Sequence, residues 1–249
     1  MDLGIEGKVA LVTGGSRGIG RAIATELVQE GAVVAVSSHS PQAVEATAAE
    51  IGARPFVFDS NDVGEAGALV AAVGDVLGPI ELLIVNTGGP ATGADSLGFS
   101  EAQWEAAYRS LVLSPMALVK AVVPGMRETG FGRIVNVSSS AVREVIDGLM
   151  LSNAHRAAAL AAWKTLARQL AGDGITVNTV LPGQIATDRL AALYGSLEVA
   201  EENASHSVPA GRLGRPEEMA AAAAFLCSHR AAYITGVALL VDGGATRSI

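Results

Sequence analysis

Half of the 249 residues are hydrophobic, 4% are aromatic and 17% are charged, so the chain can bury a large core of small aliphatic side chains. A formal charge of −8 leaves no basic stripe for nucleic acid, and no run of about 18 apolar residues is free of Pro, Gly or charge, which argues against a membrane span. Cys227 stands alone and fits a reducing compartment, and Asp2 and Glu6 precede the first apolar run, unlike a secretion signal, so the expected location is cytoplasmic.

Apolar β-type runs recur at Val9–Val12, Val33–Val36, Pro55–Phe58, Leu82–Val85, Ile134–Val137, Ile175–Val180 and Val237–Val241. Helical patterns fill the gaps near 18–30, 41–51, 62–77, 101–128, 150–171 and 216–227. Continuous apolar strands alternating with helices predict an α/β, Rossmann-type doubly wound parallel sheet of about seven strands, covered on both faces. No linker marks a cut, so residues 1–249 are expected to form one domain.

In such a sheet, function gathers beyond the C-terminal strand ends. After the first strand, Gly14, Gly15, Gly18 and Gly20 lead into a helix at Arg21. Strand, glycine turn and helix N-terminus form a phosphate cradle, with Ser16, Arg17 and Ile19 completing the loop. After the second strand, Ser37-Ser38-His39-Ser40 lacks the carboxylate that usually holds NAD ribose hydroxyls. Ser38 and His39 leave room for a 2′-phosphate and Arg17 supplies charge, which favours NADP(H) over NAD(H); a neutral loop indifferent between the two is the alternative. Asp59-Ser60 follows the third strand and suits either an adenine contact or a helix cap. Asn86-Thr87-Gly88-Gly89 follows the fourth, and Pro182-Gly183-Gln184-Ile185-Ala186-Thr187 the sixth, where it can wall a nicotinamide.

Thr13-Gly-x-x-x-Gly-x-Gly20, Asn86-Thr87-Gly88-Gly89, Arg133-Ile-Val-Asn-Val-Ser-Ser139 and Pro182-Gly183 resemble the short-chain dehydrogenases/reductases. Gly211-Arg-Leu-Gly-Arg-Pro-Glu-Glu218 and Ile234-Thr-Gly-x-x-Leu-x-Val-Asp-Gly-Gly244 look like the β-ketoacyl-carrier-protein-reductase-like branch. The resemblance spans about Leu3 to Gly244. It implies reversible hydride transfer between a nicotinamide and a small-molecule carbonyl or alcohol, and a homotetramer built through the helices near 101–128 and 150–171. It also implies that the glycine loop, Asp59 and the Asn86 turn contact the cofactor.

The family's chemistry rests on a Ser, a Tyr-x-x-x-Lys pair and an Asn on the preceding long helix. Aligned on Asn136–Ser139 and Lys164–Ala167, Ser139 falls on the catalytic Ser. Ser152 stands at the Tyr position, Arg156 at the Lys position and Ser110 at the Asn position, and no Tyr lies between Tyr108 and Tyr194. Spaced i, i+4, Ser152 and Arg156 share a helix face. Arg156 can hold ribose hydroxyls and steady an oxyanion, but an aliphatic hydroxyl is a poorer acid than a phenol. The pattern is that of a reductase with an altered proton-transfer site, or of a dinucleotide-binding sensor or scaffold without turnover.

His155 is the one imidazole near this face, as an acid acting through water or as a structural side chain. Trp163 reads as helix packing at a subunit contact. No His, Cys or carboxylate spacing suggests a metal. Residues 186–209 occupy the family's lid region, where Leu190, Leu193 and Tyr194 either line a hydrophobic pocket or form the buried side of an amphipathic helix.

Overall fold

The computed structural model describes residues 2–248. Seven parallel strands form one sheet: β1 (Val9–Thr13), β2 (Val33–Ser38), β3 (Arg54–Val57), β4 (Leu82–Val85), β5 (Gly132–Val137), β6 (Ile175–Pro182) and β7 (Ala238–Val241). Their order is β3-β2-β1-β4-β5-β6-β7, the doubly wound pattern that the sequence predicts. Every residue of β1, β4 and β5 is buried, as a strand covered on both faces requires. The register aligns Val12 with both Val36 of β2 and Ile84 of β4. From β1 the chain winds outward to β3, then returns to β4 on the other side of β1. That reversal opens a crevice beyond the C-terminal ends of β1 and β4.

Helices α1 (Gly18–Gln29), α2 (Pro41–Ile51) and α9 (Pro216–Cys227) cover one face. Ile23, Ala24 and Leu27 meet Ala220, Ala223 and Ala224 there, and the small alanines let α1 and α9 approach closely. Helices α3 (Ala66–Leu77), α5 (Ser114–Thr129) and α6 (Met150–Leu170) cover the other, burying Leu69, Leu118, Val122, Met126 and Ala159. Local signals set several ends. Ser40 accepts from Ala43 N and Pro41 opens α2, while Gly52 at φ 78° closes it. Glu218 accepts from Arg215 N at 2.8 Å to start α9.

Three expectations change. The helix predicted over 101–128 is α4 (Glu101–Tyr108) and α5 joined by a π-helical turn at Arg109–Leu113. By length and composition alone the run Glu101–Thr129 reaches the membrane-spanning range, and Leu118, Val119, Val122 and Met126 within it are buried against the sheet. Trp163 is not a subunit contact: it is 2% exposed and lies in the core against the sheet, beside the α5 side chains. The lid region forms α7 (Asp188–Tyr194) and α8 (Leu197–Ser207) around a small core of Ala200, Ala204, Val208 and Leu213. Leu190 and Tyr194 pack on that core, as the buried side of an amphipathic helix would, but Leu193 is exposed and does not share that face.

Candidate active site

The turn after β1 runs through backbone positions that no side chain could share. Gly14 has φ +56°, and a Cβ there would lie 2.6 Å from the Asn86 carbonyl oxygen. A Cβ on Gly20 would lie 2.2 Å from the Gly14 oxygen. Asn86 holds the loop in that shape: its Nδ2 donates to Gly14 O at 3.0 Å, and its N–H donates to Thr13 Oγ1 at 3.1 Å. Thr13 Oγ1 in turn donates to Asn86 O at 3.0 Å. Thr47 Oγ1 donates to Ser16 O at 2.9 Å and ties the loop to α2.

Helix α1 begins after Arg17 with no side-chain cap and no acidic residue in its first turn. Its first N–H groups and the positive end of its dipole are left for an anion. Arg17 is exposed and makes no ion pair among the described residues. A glycine cradle, an uncapped helix start and a β2 end without a carboxylate fit a dinucleotide pyrophosphate and a further phosphate.

Ser38 is buried and its hydroxyl is engaged in its own turn, donating to Ser40 O at 3.2 Å and accepting from Ser40 N at 3.3 Å. His39 is exposed beside it. Phe58 N donates to Ser38 O at 2.9 Å, which brings the Asp59-Ser60 turn against the β2 end. Asp59 Oδ1 accepts from both N and Nδ2 of Asn61 at 2.9 Å, so it acts at least as a turn cap. Thr87 is half-buried and Gly88 exposed after β4.

From β6 the chain passes Pro182 and Gly183 to Ile185, which is buried and bridges Gly214. Thr187 caps α7, accepting from Leu190 N at 3.4 Å. Its Cγ2 lies 3.4 Å from where a Cβ on Gly18 would sit, so the lid's start meets the glycine loop. The glycine turn, the Asn86 turn and the 182–187 turn thus converge on one crevice.

Ser139 follows β5 and accepts from Ala141 N at 3.1 Å, leaving its own proton free. Arg156 reaches from α6 to the end of β5: Nη1 donates to Val137 O at 3.0 Å and Nε donates to Ser152 Oγ at 3.1 Å. Because Ser152 Oγ accepts from this cation, its own hydroxyl hydrogen is left for another acceptor. Burial, and then the like charge of Arg189, push the Arg156 guanidinium down to about 10. It remains a cation at neutral pH.

Ser110 lies in the π-helical turn and donates to Ala106 O at 3.0 Å, on its own helix. Such turns recur at functional sites, and no periodicity in the sequence signals this one. His155 turns toward α4: its Nδ1 contacts Leu151 O at 2.8 Å, and its ring lies 5.3 Å from that of Trp104. That packing is structural.

Sequence reasoning missed Arg189, the second residue of α7. Its guanidinium lies against the Gly89 backbone, where an added Cβ would fall 1.9 Å from its Cζ. The available signal was an arginine at the start of the lid helix with Ala192 and Leu193 at i+3 and i+4, hence no carboxylate following on its own face.

The family model described as Enoyl-(Acyl carrier protein) reductase matches residues 14–246. The chain is 38% identical over 246 residues to the 3-oxoacyl-[acyl-carrier-protein] reductase FabG of Vibrio harveyi, covering 97% of this chain and 98% of that one. The L-sorbose reductase of Gluconobacter frateurii, solved with NADPH and L-sorbose, superposes with a TM-score of 0.90 at 30% identity over all of both chains. A 3-oxoacyl (acyl-carrier-protein) reductase from Agrobacterium tumefaciens C58, solved with NADP bound, gives 0.91 at 29% identity over 98% of this chain and 96% of that one.

Proposed function

The chain belongs to the short-chain dehydrogenase/reductase family, in the FabG-like 3-oxoacyl-carrier-protein reductase branch, and from that premise we propose an NADP(H)-dependent reductase of a small carbonyl compound with a rebuilt proton-transfer site. The observation that carries the reading is Arg156 bonded to Ser152 at the end of β5, a cation and a hydroxyl held as a pair beside the strand that leads to Ser139. Gly14, Ser16, Arg17, Gly18, Ile19 and Gly20 would hold the pyrophosphate. Ser38 and His39 would border the 2′-phosphate and Arg17 would neutralise it. Asp59, Ser60, Asn86, Thr87 and Gly88 would border the adenosine and ribose, and Pro182, Gly183, Ile185 and Thr187 the nicotinamide.

The bound dinucleotide supplies the hydride. Ser139 donates its free hydroxyl hydrogen to the substrate oxygen. Ser152, accepting from Arg156, donates to the same oxygen and relays it a proton that Ser152 takes back from water, so that no alkoxide is left on the serine. Arg156 stabilises the developing negative charge and stays protonated. General acid–base help is worth about 10²–10⁴-fold, so loss of the phenol predicts slow turnover, with orientation supplying much of what remains. The missing Tyr-x-x-x-Lys pair also favours a second reading, a dinucleotide-binding protein that does not turn over. Single-turnover oxidation of NADPH against ketones and acyl thioesters separates the two: substrate-dependent oxidation supports the reductase, and tight binding with no oxidation supports the second reading.

For the cofactor, NADPH is expected to bind several-fold more tightly than NADH. Ser38→Asp should reverse that order by repelling the 2′-phosphate. Fluorescence titration giving equal affinities would remove the basis for the NADP(H) assignment.

We also propose a homotetramer through α4–α5 and α6, with the whole chain acting as one domain. Ala157, Ala158 and Ala161 form an exposed small-residue face on α6, and Trp104 and Tyr108 are exposed on α4. A monomer of about 25 kDa in light scattering at micromolar concentration would contradict the assembly.

A further inference from the structure

The segment that joins Ser139 to Ser152 has no strand or helix of its own before α6 beyond a single 3₁₀ turn at Ser140–Val142. Residues 143–147 are exposed, and the segment takes its shape from what holds it on three sides. Gly93 N donates to Gly148 O at 3.0 Å from the stretch after β4. Asn153 Nδ2 donates to Ile146 O at 2.9 Å from α6, next to Ser152. The third hold comes from the tail of the chain: Glu144 Oε1 accepts from Arg247 N at 2.7 Å and from Ser248 N at 2.6 Å.

Asp242 sets the course of the tail toward that carboxylate. Its Oδ1 accepts from Gly244 N at 3.0 Å and its Oδ2 from Thr246 N at 2.9 Å, which turns the chain as it leaves β7. Ala210 N donates to Gly243 O at 3.1 Å, and Ala245 packs on the small core of the lid with Leu190 and Tyr194. The tail is therefore seated on the lid at one end and fastened to the segment after Ser139 at the other.

The two fastenings are unequal. Gly243 lies tight against Val208, and Ala245 is backed by the lid core. The Glu144 bonds join an exposed carboxylate to the amides of exposed residues. A chain end stays ordered only where it is tied down, and closures over ligands are drawn from the least stable contacts of a fold. A carboxylate gripping two N–H groups holds the tail through charge-assisted bonds, and solvent at the same oxygens lets it go.

We infer that residues 242–248 are a strap across the substrate end of the crevice, buckled at Glu144, which releases to admit a small molecule and refastens over it. Because the strap joins the lid to the segment that follows Ser139, opening at Glu144 frees those two walls to part. The inference rests on the reductase reading only for the chemistry of what enters, and the buckle is measured without turnover.

Deuterium exchange of the C-terminal peptide tests the buckle, and quenching of bound NADPH fluorescence tests the closure, both on the whole chain. The amides of Arg247 and Ser248 should exchange at least about ten-fold more slowly in the wild type than in Glu144→Ala. Glu144→Gln, whose side-chain oxygen still accepts, should keep much of that protection. With NADPH bound, a bulky nitroxide should quench the nicotinamide several-fold more in Glu144→Ala than in the wild type or Glu144→Gln. Acrylamide, small enough to pass the strap, should quench all three alike, and NADPH affinity should not change. Tail amides that exchange freely in the wild type, or protection that survives Glu144→Ala, overturn the inference. Protection lost without any change in nitroxide quenching also overturns it, and leaves the tail a structural tie alone. If NADPH fails to bind the wild type, the dinucleotide reading fails, while the exchange comparison still decides the strap.

Discussion

Arg156 Nε donates to Ser152 Oγ at 3.1 Å, so the two side chains that we propose to stand at the family's Lys and Tyr positions are bonded to each other. The i, i+4 spacing on α6 sets this pair, and the second donation, to Val137 O, fixes it against the sheet. A guanidinium here does more than preserve a positive charge. It orients a hydroxyl that would otherwise rotate freely.

Restoring the family's pair is therefore expected to require both changes. Ser152→Tyr with Arg156→Lys should raise carbonyl reduction by about ten-fold or more, within the range general acids supply. Ser152→Tyr alone should recover less, because a phenol placed beside Arg156 meets a cation anchored to Val137 O. Steady-state rates for the two variants decide this, and an equal gain from the single change would show that the Arg156 anchor is unimportant.

Gly20→Ala should abolish dinucleotide binding while leaving most of the fold intact. The added methyl would collide with Gly14 O at 2.2 Å and with Asn86 Nδ2 at 2.5 Å, so the loop must open. Asn86→Ala should weaken binding less, since it releases the loop without forcing it apart. NADPH titration and circular dichroism of both variants check the order.

The charge on Arg156 is lost as pH rises through about 10, below the ordinary arginine value. The folded state then binds fewer protons than the unfolded chain between those values, so this group's contribution to stability rises with pH across that window. Its hold on anions falls over the same range. NADP⁺ affinity should drop near pH 10 in the wild type, and Arg156→Met should show weaker affinity without that step. A step that persists in Arg156→Met would assign it to another group.

Arg133 lies 3% exposed at the start of β5 and is satisfied by carbonyls alone, donating to Ser228 O at 3.2 Å, Gly132 O at 2.8 Å and Gly174 O at 3.2 Å. Arg133→Met should destabilise the fold by at least about 1–3 kcal/mol, the cost of leaving one buried acceptor unpaired. Cys227 close by is buried, and burial pushes its thiol up to about 12, so it should react with thiol reagents only on unfolding. Thermal denaturation and native-state thiol titration measure the two effects.

The strand ends were legible in the sequence because each continuous apolar run gives way to a turn-forming or small polar residue: Thr13, Ser37, Asp59, Asn86, Ser138, Pro182 or Asp242. Asn86, Thr13 and the glycines lie where the spacing puts them, and the Ser152–Arg156 contact follows from helix geometry. The π-helical turn at Arg109–Leu113 was not legible, since one inserted residue barely alters a helical hydrophobic pattern. Trp163 was misplaced because an alanine-rich helix has two apolar faces, and only tertiary packing decides which one meets the sheet. Arg189 escaped notice because its significance is spatial: nothing local links residue 189 to Gly89.

The most direct test of the central claim is single-turnover oxidation of enzyme-bound NADPH by a panel of ketones, oxoacids and acyl thioesters, with wild type and Ser152→Ala compared. The account predicts slow, substrate-dependent oxidation by the wild type, falling about ten-fold or more in Ser152→Ala as the proton donor is removed. Equal rates in the two proteins, or no oxidation by any substrate despite tight NADPH binding, would contradict it.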